Sequence, residues 1–181
     1  MNVLITGASG FIGRHLIKIL DNDDNDYKIH AIFSQKKPNN KSSKIKWHKL
    51  DLFKDSEVEE LIKKIQPTHI IHLAWYTEHG KFWNSQKNKD WMNASIKLFK
   101  VFKKYSGKHF ISAGSKAEYF DGEFMKDYLN SSFEFNETDR PEPDTRYGEY
   151  KNLLHDKLNK LDKNKKSLVW ARVFDTYGPY E

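Results

Sequence analysis

The chain is predicted to fold as an α/β protein, a doubly wound parallel sheet with helices on both faces in three α/β/α layers. Three observations carry that prediction. Short apolar runs alternate with helical stretches along the whole chain, as parallel strands joined by crossover helices require. Glycines at 7, 10 and 13 punctuate the first strand-to-helix step. The run Phe110-Ile111-Ser112-Ala113-Gly114-Ser115 passes from apolar residues into small hydroxyl residues, as expected where loops leave the carboxyl edge of such a sheet.

Taken in order, Asn2-Val3-Leu4-Ile5-Thr6 forms the first strand and residues 11–20 the first helix. Strands follow at 28–34 and 45–49, then a helix at 55–65 ended by Pro67, and a strand at 68–73. A long helix at 88–105, a strand at 108–112, a helix at 147–162 and a strand at 167–173 complete the pattern. Loops at 75–87 and 114–146 are long enough to expect a functional role, and both leave the sheet at its carboxyl edge. With 181 residues and no internal repeat, the expectation is one dinucleotide-binding domain over 1–181.

Composition removes several classes. The chain has no cysteine, which excludes disulfides and thiolate metal sites. No apolar stretch approaches the roughly 20 residues of a membrane span, and the first residues read as a strand rather than a signal peptide, so the expected location is the cytoplasm. Within a net charge of +6, lysines cluster at 36, 37, 41, 44 and 46 and at 160, 163, 165 and 166. These sit among acids, asparagines or serines, and Asp21, Asp23, Asp24 and Asp26 oppose them, so no nucleic-acid partner is expected.

The glycine turn, Gly7-Ala8-Ser9-Gly10-Phe11-Ile12-Gly13 with Arg14, suits a pyrophosphate held on the free amides of a helix start. At the end of the second strand, Phe33-Ser34-Gln35-Lys36-Lys37 lacks the acid that normally holds the ribose hydroxyls of NAD. NADP is therefore expected over NAD, with Ser34, Lys36 and Arg14 as candidate phosphate contacts.

Reaction chemistry is expected from Thr145-Arg146-Tyr147-Gly148-Glu149-Tyr150-Lys151, where tyrosine and lysine four apart share one helix face. An ammonium beside a phenol lowers its pKa from about 10, allowing proton exchange with an alcohol or carbonyl oxygen. Ser115 could polarise the same oxygen, with Ser112 as the competing candidate. The first long loop carries Trp75, Tyr76, Glu78, His79, Lys81, Phe82 and Trp83, suited either to gripping a sugar or base or to packing as a satellite cluster. No metal is expected, because His79 has no second ligand at a suitable spacing.

Together these segments resemble the extended short-chain dehydrogenase/reductase family of nucleotide-sugar epimerases, dehydratases and ketoreductases. Thr6 to Gly13 is similar to its glycine motif, Tyr147 and Lys151 to its catalytic pair, and Ser115, four residues before Tyr119, to its catalytic Ser/Thr. Asp51-Leu52 resembles its adenine-contacting pair, His72-Leu73-Ala74 its strand end beside the cofactor, with Trp75 next, and Arg172 to Pro179 its sixth-strand motif. The resemblance implies a Rossmann-like sheet and an oxidoreductase acting on a nucleotide-activated sugar through a Ser-Tyr-Lys triad. A 6-deoxy-4-keto sugar and a 4-ketoreductase are its first expectation, an epimerase the alternative, and a dinucleotide-binding module without turnover the third.

Dehydration is not expected, because Lys116-Ala117 replaces the family's Asp-Glu, although Glu118 lies one place further on. Tyr76, His79, Glu118 and Asp175 are candidate substrate contacts, Asp175 standing where the family has asparagine. The family continues well past residue 181 into a substrate domain, so the expectation is a fragment or a shortened product lacking that domain. The resemblance also implies a homodimer through helices 88–105 and 147–162, with Ile96, Phe99, Phe102, Leu153, Leu154 and Leu158 available either for it or for the core.

Overall fold

The strands form where β-branched and aliphatic residues run together, and each is followed by a stretch whose apolar residues recur with helical period. In the computed structural model, which describes residues 1–39, 42–119, 135–164 and 166–179, this yields β1 (Asn2–Thr6), α1 (Phe11–Asn22), β2 (Lys28–Phe33), β3 (Ile45–Lys49) and α2 (Asp55–Ile65). β4 (His69–His72), α3 (Lys87–Lys104), β5 (His109–Ser115), a 3-10 turn (Lys116–Glu118), α4 (Arg146–Leu161) and β6 (Leu168–Val173) follow. Residues 120–134 of the second long loop, together with Lys41 and Lys165 of the lysine clusters, lie outside the described residues.

All the pairings are parallel, in the order β3-β2-β1-β4-β5-β6. The chain therefore leaves β1 toward β2 and β3 and returns to its other side at β4. Where the winding reverses, β1 and β4 stay paired to Thr6 and His72, and the connections that leave their carboxyl ends run to opposite sides, which is where such sheets form a crevice.

Alternate residues of each strand feed two cores. Leu4, Ile32, Ile70 and Phe110 pack under α2, α3 and α4 with Val58, Ile62, Leu98, Phe99, Phe102, Leu154 and Leu158. Val3, Ile5, Ile29, Ala31 and Ile45 face the other way, onto Ile17 of α1. Of the residues weighed for a helical interface, Phe99, Phe102, Leu154 and Leu158 are thus core, while Ile96 and Leu153 are only partly buried.

Two expected boundaries move by more than one residue. α1 runs on to Asn22, and β5 continues past 112 because Ala113, Gly114 and Ser115 stay paired with Ala171, Arg172 and Val173 of β6. That extension carries Ser115 to the very end of the sheet. α2 ends as its sequence dictates, with Gln66 in the left-handed region (φ 49°) donating its N–H to Ile62 O just before Pro67.

Candidate active site

Backbone proximity explains the glycines. Gly7 has φ +67°, and a Cβ there would lie 2.7 Å from Ala74 N and 2.8 Å from Leu73 C, so the end of β4 rests directly on the turn. At Gly13 a Cβ would lie 2.2 Å from Gly7 O, so only glycine lets α1 start this close to the turn. Gly10 caps α1 with no side-chain hydrogen bond, and the first turn carries no acid to compete with an anion.

These residues form one wall of a cleft of about 710 Å³. Gly7, Ser9, Gly10, Phe11, Ile12 and Gly13 line it from the turn, Ser34 from the end of β2, Asp51 and Leu52 from the end of β3, and Leu73, Ala74 and Trp75 from the end of β4. Most of the residues proposed for the cofactor from sequence thus share one cavity. Arg14 and Lys36 do not line it. Arg14 Nε instead donates to Ser9 O at 3.0 Å, bracing the turn from outside, and Lys36 is exposed. Phe33, Gln35, Phe53, Trp91 and Ala113 also line the cleft, and sequence reasoning had missed them. Trp91 reaches it from α3, a neighbour that no local pattern signals.

The wall between β1 and β4 is locked by a directed chain of hydrogen bonds. Ala74 N–H donates to Thr6 Oγ1 (3.2 Å), which lies 2.7 Å from His72 Nδ1, while His72 Nε2 lies 2.8 Å from Ser95 Oγ. Ser95 donates its own proton to Trp91 O (2.8 Å), so His72 must donate from Nε2 and accept at Nδ1. The ring is therefore neutral. Burial, with a smaller effect from the Lys151 charge, pushes its pKa down to about 3.

Tyr147 and Lys151 lie one turn apart at the start of α4, where Thr145 Oγ1 accepts from Gly148 N at 3.1 Å. Lys151 is 4% exposed; its ammonium donates to Ala113 O at 2.7 Å and sits 4.0 Å over the Trp75 ring and 5.8 Å from the centre of the Tyr147 ring. Ala113 and Trp75 both line the cleft, so the ammonium stands at its edge. Burial lowers the Lys151 pKa to about 7, against an opposing pull from the Glu118 carboxylate.

The aromatic loop packs in two places. Phe82 and Trp83 stand edge-on to the Tyr147 ring at 5.0 and 5.7 Å, Trp75 does so at 6.4 Å, and Tyr147 N donates to Trp83 O at 2.8 Å. Buried Asn88 holds the loop in this shape, accepting from Trp75 Nε1 (2.8 Å) and donating to Phe82 O and Ser85 O. Tyr76 lies elsewhere, in a neighbouring hollow with Phe53, Trp91 and Lys87, its hydroxyl on Glu78, and His79 is exposed.

Ser115 is 9% exposed, its Oγ accepting from Ala117 N at 3.2 Å. Ser112, the competing candidate, is fully buried in the middle of the sheet and its Oγ has no hydrogen-bond partner. The expectation that Glu118 faces substrate is corrected: it is 0% exposed, accepting from Ser115 N, Trp170 Nε1 and Arg172 Nε, because a carboxylate on the third residue of the turn reaches back to the capping residue and into the sheet. Asp175 is 80% exposed and pairs with Lys116 at 2.7 Å. Among the described residues no three metal-ligating side chains come together, and no helix is long and apolar enough to cross a membrane.

Known proteins share part of this sequence and its fold. The chain is 32% identical over 81 residues to a dTDP-glucose 4,6-dehydratase of Haemophilus influenzae, covering 41% of this chain and 24% of that protein. Its fold matches UDP-glucose 4-epimerase of Thermus thermophilus in complex with NAD (TM-score 0.79, 20% identity), over 100% of this chain and 57% of that one. It also matches the Bordetella bronchiseptica enzyme WbmG in complex with NAD and UDP (TM-score 0.74, 19% identity), over 98% of this chain and 54% of that one. The chain thus spans little more than half the length of these structures. A sequence model of one family matches residues 3–181, essentially the whole length, and the chain accordingly belongs to the NAD dependent epimerase/dehydratase family.

Proposed function

We propose that this chain binds NAD in the cleft between β1 and β4 and forms the reacting half of an oxidoreductase that interconverts a secondary alcohol and a ketone on a nucleotide-activated sugar. The observation that carries the reading is the buried Lys151 ammonium, which donates to a carbonyl of the cleft wall, lies over the Trp75 ring and stands 5.8 Å from the centre of the Tyr147 ring. When bound, the dinucleotide would accept or supply the hydride. In the oxidising direction the Tyr147 oxygen takes the hydroxyl proton as hydride leaves the same carbon; in the reducing direction it returns that proton to the carbonyl oxygen. Lys151 favours the phenolate by its charge, and Ser115 Oγ donates a hydrogen bond to the substrate oxygen.

NAD is proposed over the NADP expected from sequence. Arg14 is engaged with Ser9 and Lys36 lies off the cleft, and both structural relatives are complexes with NAD. Two finer reactions fit. Inversion at one carbon, by oxidation and re-reduction on a retained NAD, is favoured by the epimerase among those relatives. Net 4-keto reduction is the second, and tighter binding of NADPH than NADH would favour it.

Titration with NADH and NADPH, followed by tryptophan fluorescence, tests the cofactor; tighter binding of NADPH would reverse the assignment. Tyr147→Phe should lower hydride transfer by about 10²-fold to 10⁴-fold at unchanged NAD affinity. A wild-type chain that binds NAD and transfers no hydride to or from UDP-sugars would instead be a binding module.

A further inference from the structure

A fully buried carboxylate is costly unless several donors meet it, and Glu118 has three. Its Oε1 accepts from Ser115 N–H at 2.7 Å, its two oxygens lie 3.1 and 3.0 Å from Trp170 Nε1, and its Oε2 accepts from Arg172 Nε at 3.1 Å. Those donors come from the end of β5 and from β6. Gly114 leaves the room they need, since a Cβ there would lie 2.4 Å from Trp170 Nε1 and 2.5 Å from Glu118 Oε1. Across the same turn, a Cβ on Gly148 would lie 1.9 Å from Ala117 O, so α4 bears on the turn immediately after Tyr147.

We propose that Glu118 is a positioning residue for the reaction: its carboxylate pins the 3-10 turn to β6 and thereby holds Ser115 in place against the start of α4, where Tyr147 and Lys151 stand. The turn is too short to hold itself. Within the turn, three residues supply one backbone closure, Tyr119 N to Lys116 O at 2.9 Å, and the capping pair between Ser115 and Glu118; Lys116 and Tyr119 are tied outward, to Asp175, Arg172 and Glu142, whereas Ser115 is tied through Glu118. Without the carboxylate, Ser115 N–H and the two β6 donors would be left buried and unpaired, and the turn would be free to shift relative to α4. The proposal rests on the reading of Ser115, Tyr147 and Lys151 as the reacting groups, so its test has two arms that fail independently.

In the first arm, amide hydrogen exchange is compared between wild type and Glu118→Gln. Exchange at Ser115 and Ala117 should accelerate about tenfold or more while Phe110, in the same strand, is unchanged. Trp170→Phe, which removes a single donor, is the milder variant and should move the same two amides by a smaller factor. Unchanged exchange at Ser115, or acceleration spread evenly along β5, overturns the proposal, since the latter describes a residue that only stabilises the fold.

In the second arm, hydride transfer between NAD and UDP-glucose is followed by NADH fluorescence. Glu118→Gln should lower kcat at least about tenfold with the KM for NAD unchanged, and should cost almost nothing further in a Ser115→Ala background. Full turnover in Glu118→Gln, or losses that simply multiply with those of Ser115→Ala, overturns the positioning role. A wild type that transfers no hydride counts against the proposed function alone, and the exchange arm then decides whether the tether exists.

Discussion

Lys151 pairs an ammonium with an environment that disfavours its charge, and that tension is measurable. Its folded pKa of about 7 lies below the ordinary lysine value of 10.5, mainly through burial. Between those two values the folded chain has released a proton that the unfolded chain still carries, so this group makes stability rise with pH across that window. The increment should be on the order of a few kcal/mol. Urea midpoints measured from pH 7 to 10 should show it in wild type and lack it in Lys151→Met; an identical slope in the variant would refute the assignment. The spacing of Tyr147 and Lys151 was legible in the sequence because it is a property of one helix. The ligands of the ammonium were not, since Ala113 O and the Trp75 ring arrive from β5 and from the loop after β4.

At the scale of elements, the site exists because helices come unusually close to their neighbours at two glycines. Gly148→Ala would force a methyl into Ala117 O and push the start of α4 off the turn. Overpacking of this kind costs roughly 1–3 kcal/mol, and hydride transfer should fall far more than NAD affinity, because the glycine turn is on another part of the sheet. Gly13→Ala should do the reverse, abolishing NAD binding as its methyl meets Gly7 O. Parallel calorimetric titration and turnover of the two variants separates these outcomes. The motif around Gly13 announced itself by its neighbours Gly7 and Gly10, whereas Gly148 looked like any helical glycine until Ala117 was found beside it. Glu118 was misplaced for the same reason, because its partners Trp170 and Arg172 lie more than 50 residues away along the chain.

For the whole molecule, apolar packing and buried histidines fail under different conditions. Phe110 is completely buried and meets Phe99 edge-on at 5.1 Å, so Phe110→Ala should cost about 3–5 kcal/mol by urea denaturation. Acid acts through histidines held neutral. Burial holds His72 down to about 3 and His30, beside His48 and Lys46, down to about 4. Their folded values lie below the unfolded value of 6.5, so their contribution is complete above pH 6.5 and is lost as pH falls toward 4 and then 3. Urea midpoints should therefore drop steadily below pH 6.5, and His72→Gln should flatten the lower part of that fall. Association is a further test at this scale. Ile96 and Leu153 on α3 and α4 are left only partly buried by the core, and a dimer formed through those helices should dissociate in Ile96→Glu on sedimentation.

Sequence alone determined the strand and helix order, the glycine turn and the Tyr-Lys face, because each is local: a period of two or 3.6 residues, or a backbone conformation that few residues permit. Tertiary structure alone decided that residues scattered from Gly7 to Trp75 share one cleft, that Ser112 is sealed in the sheet while Ser115 stands at its end, and that Glu118 is an internal counter-charge. Those outcomes turn on register and crossover. Whether β5 stops at 112 or pairs with β6 to 115 is settled between strands more than 50 residues apart, and no segment carries that information by itself.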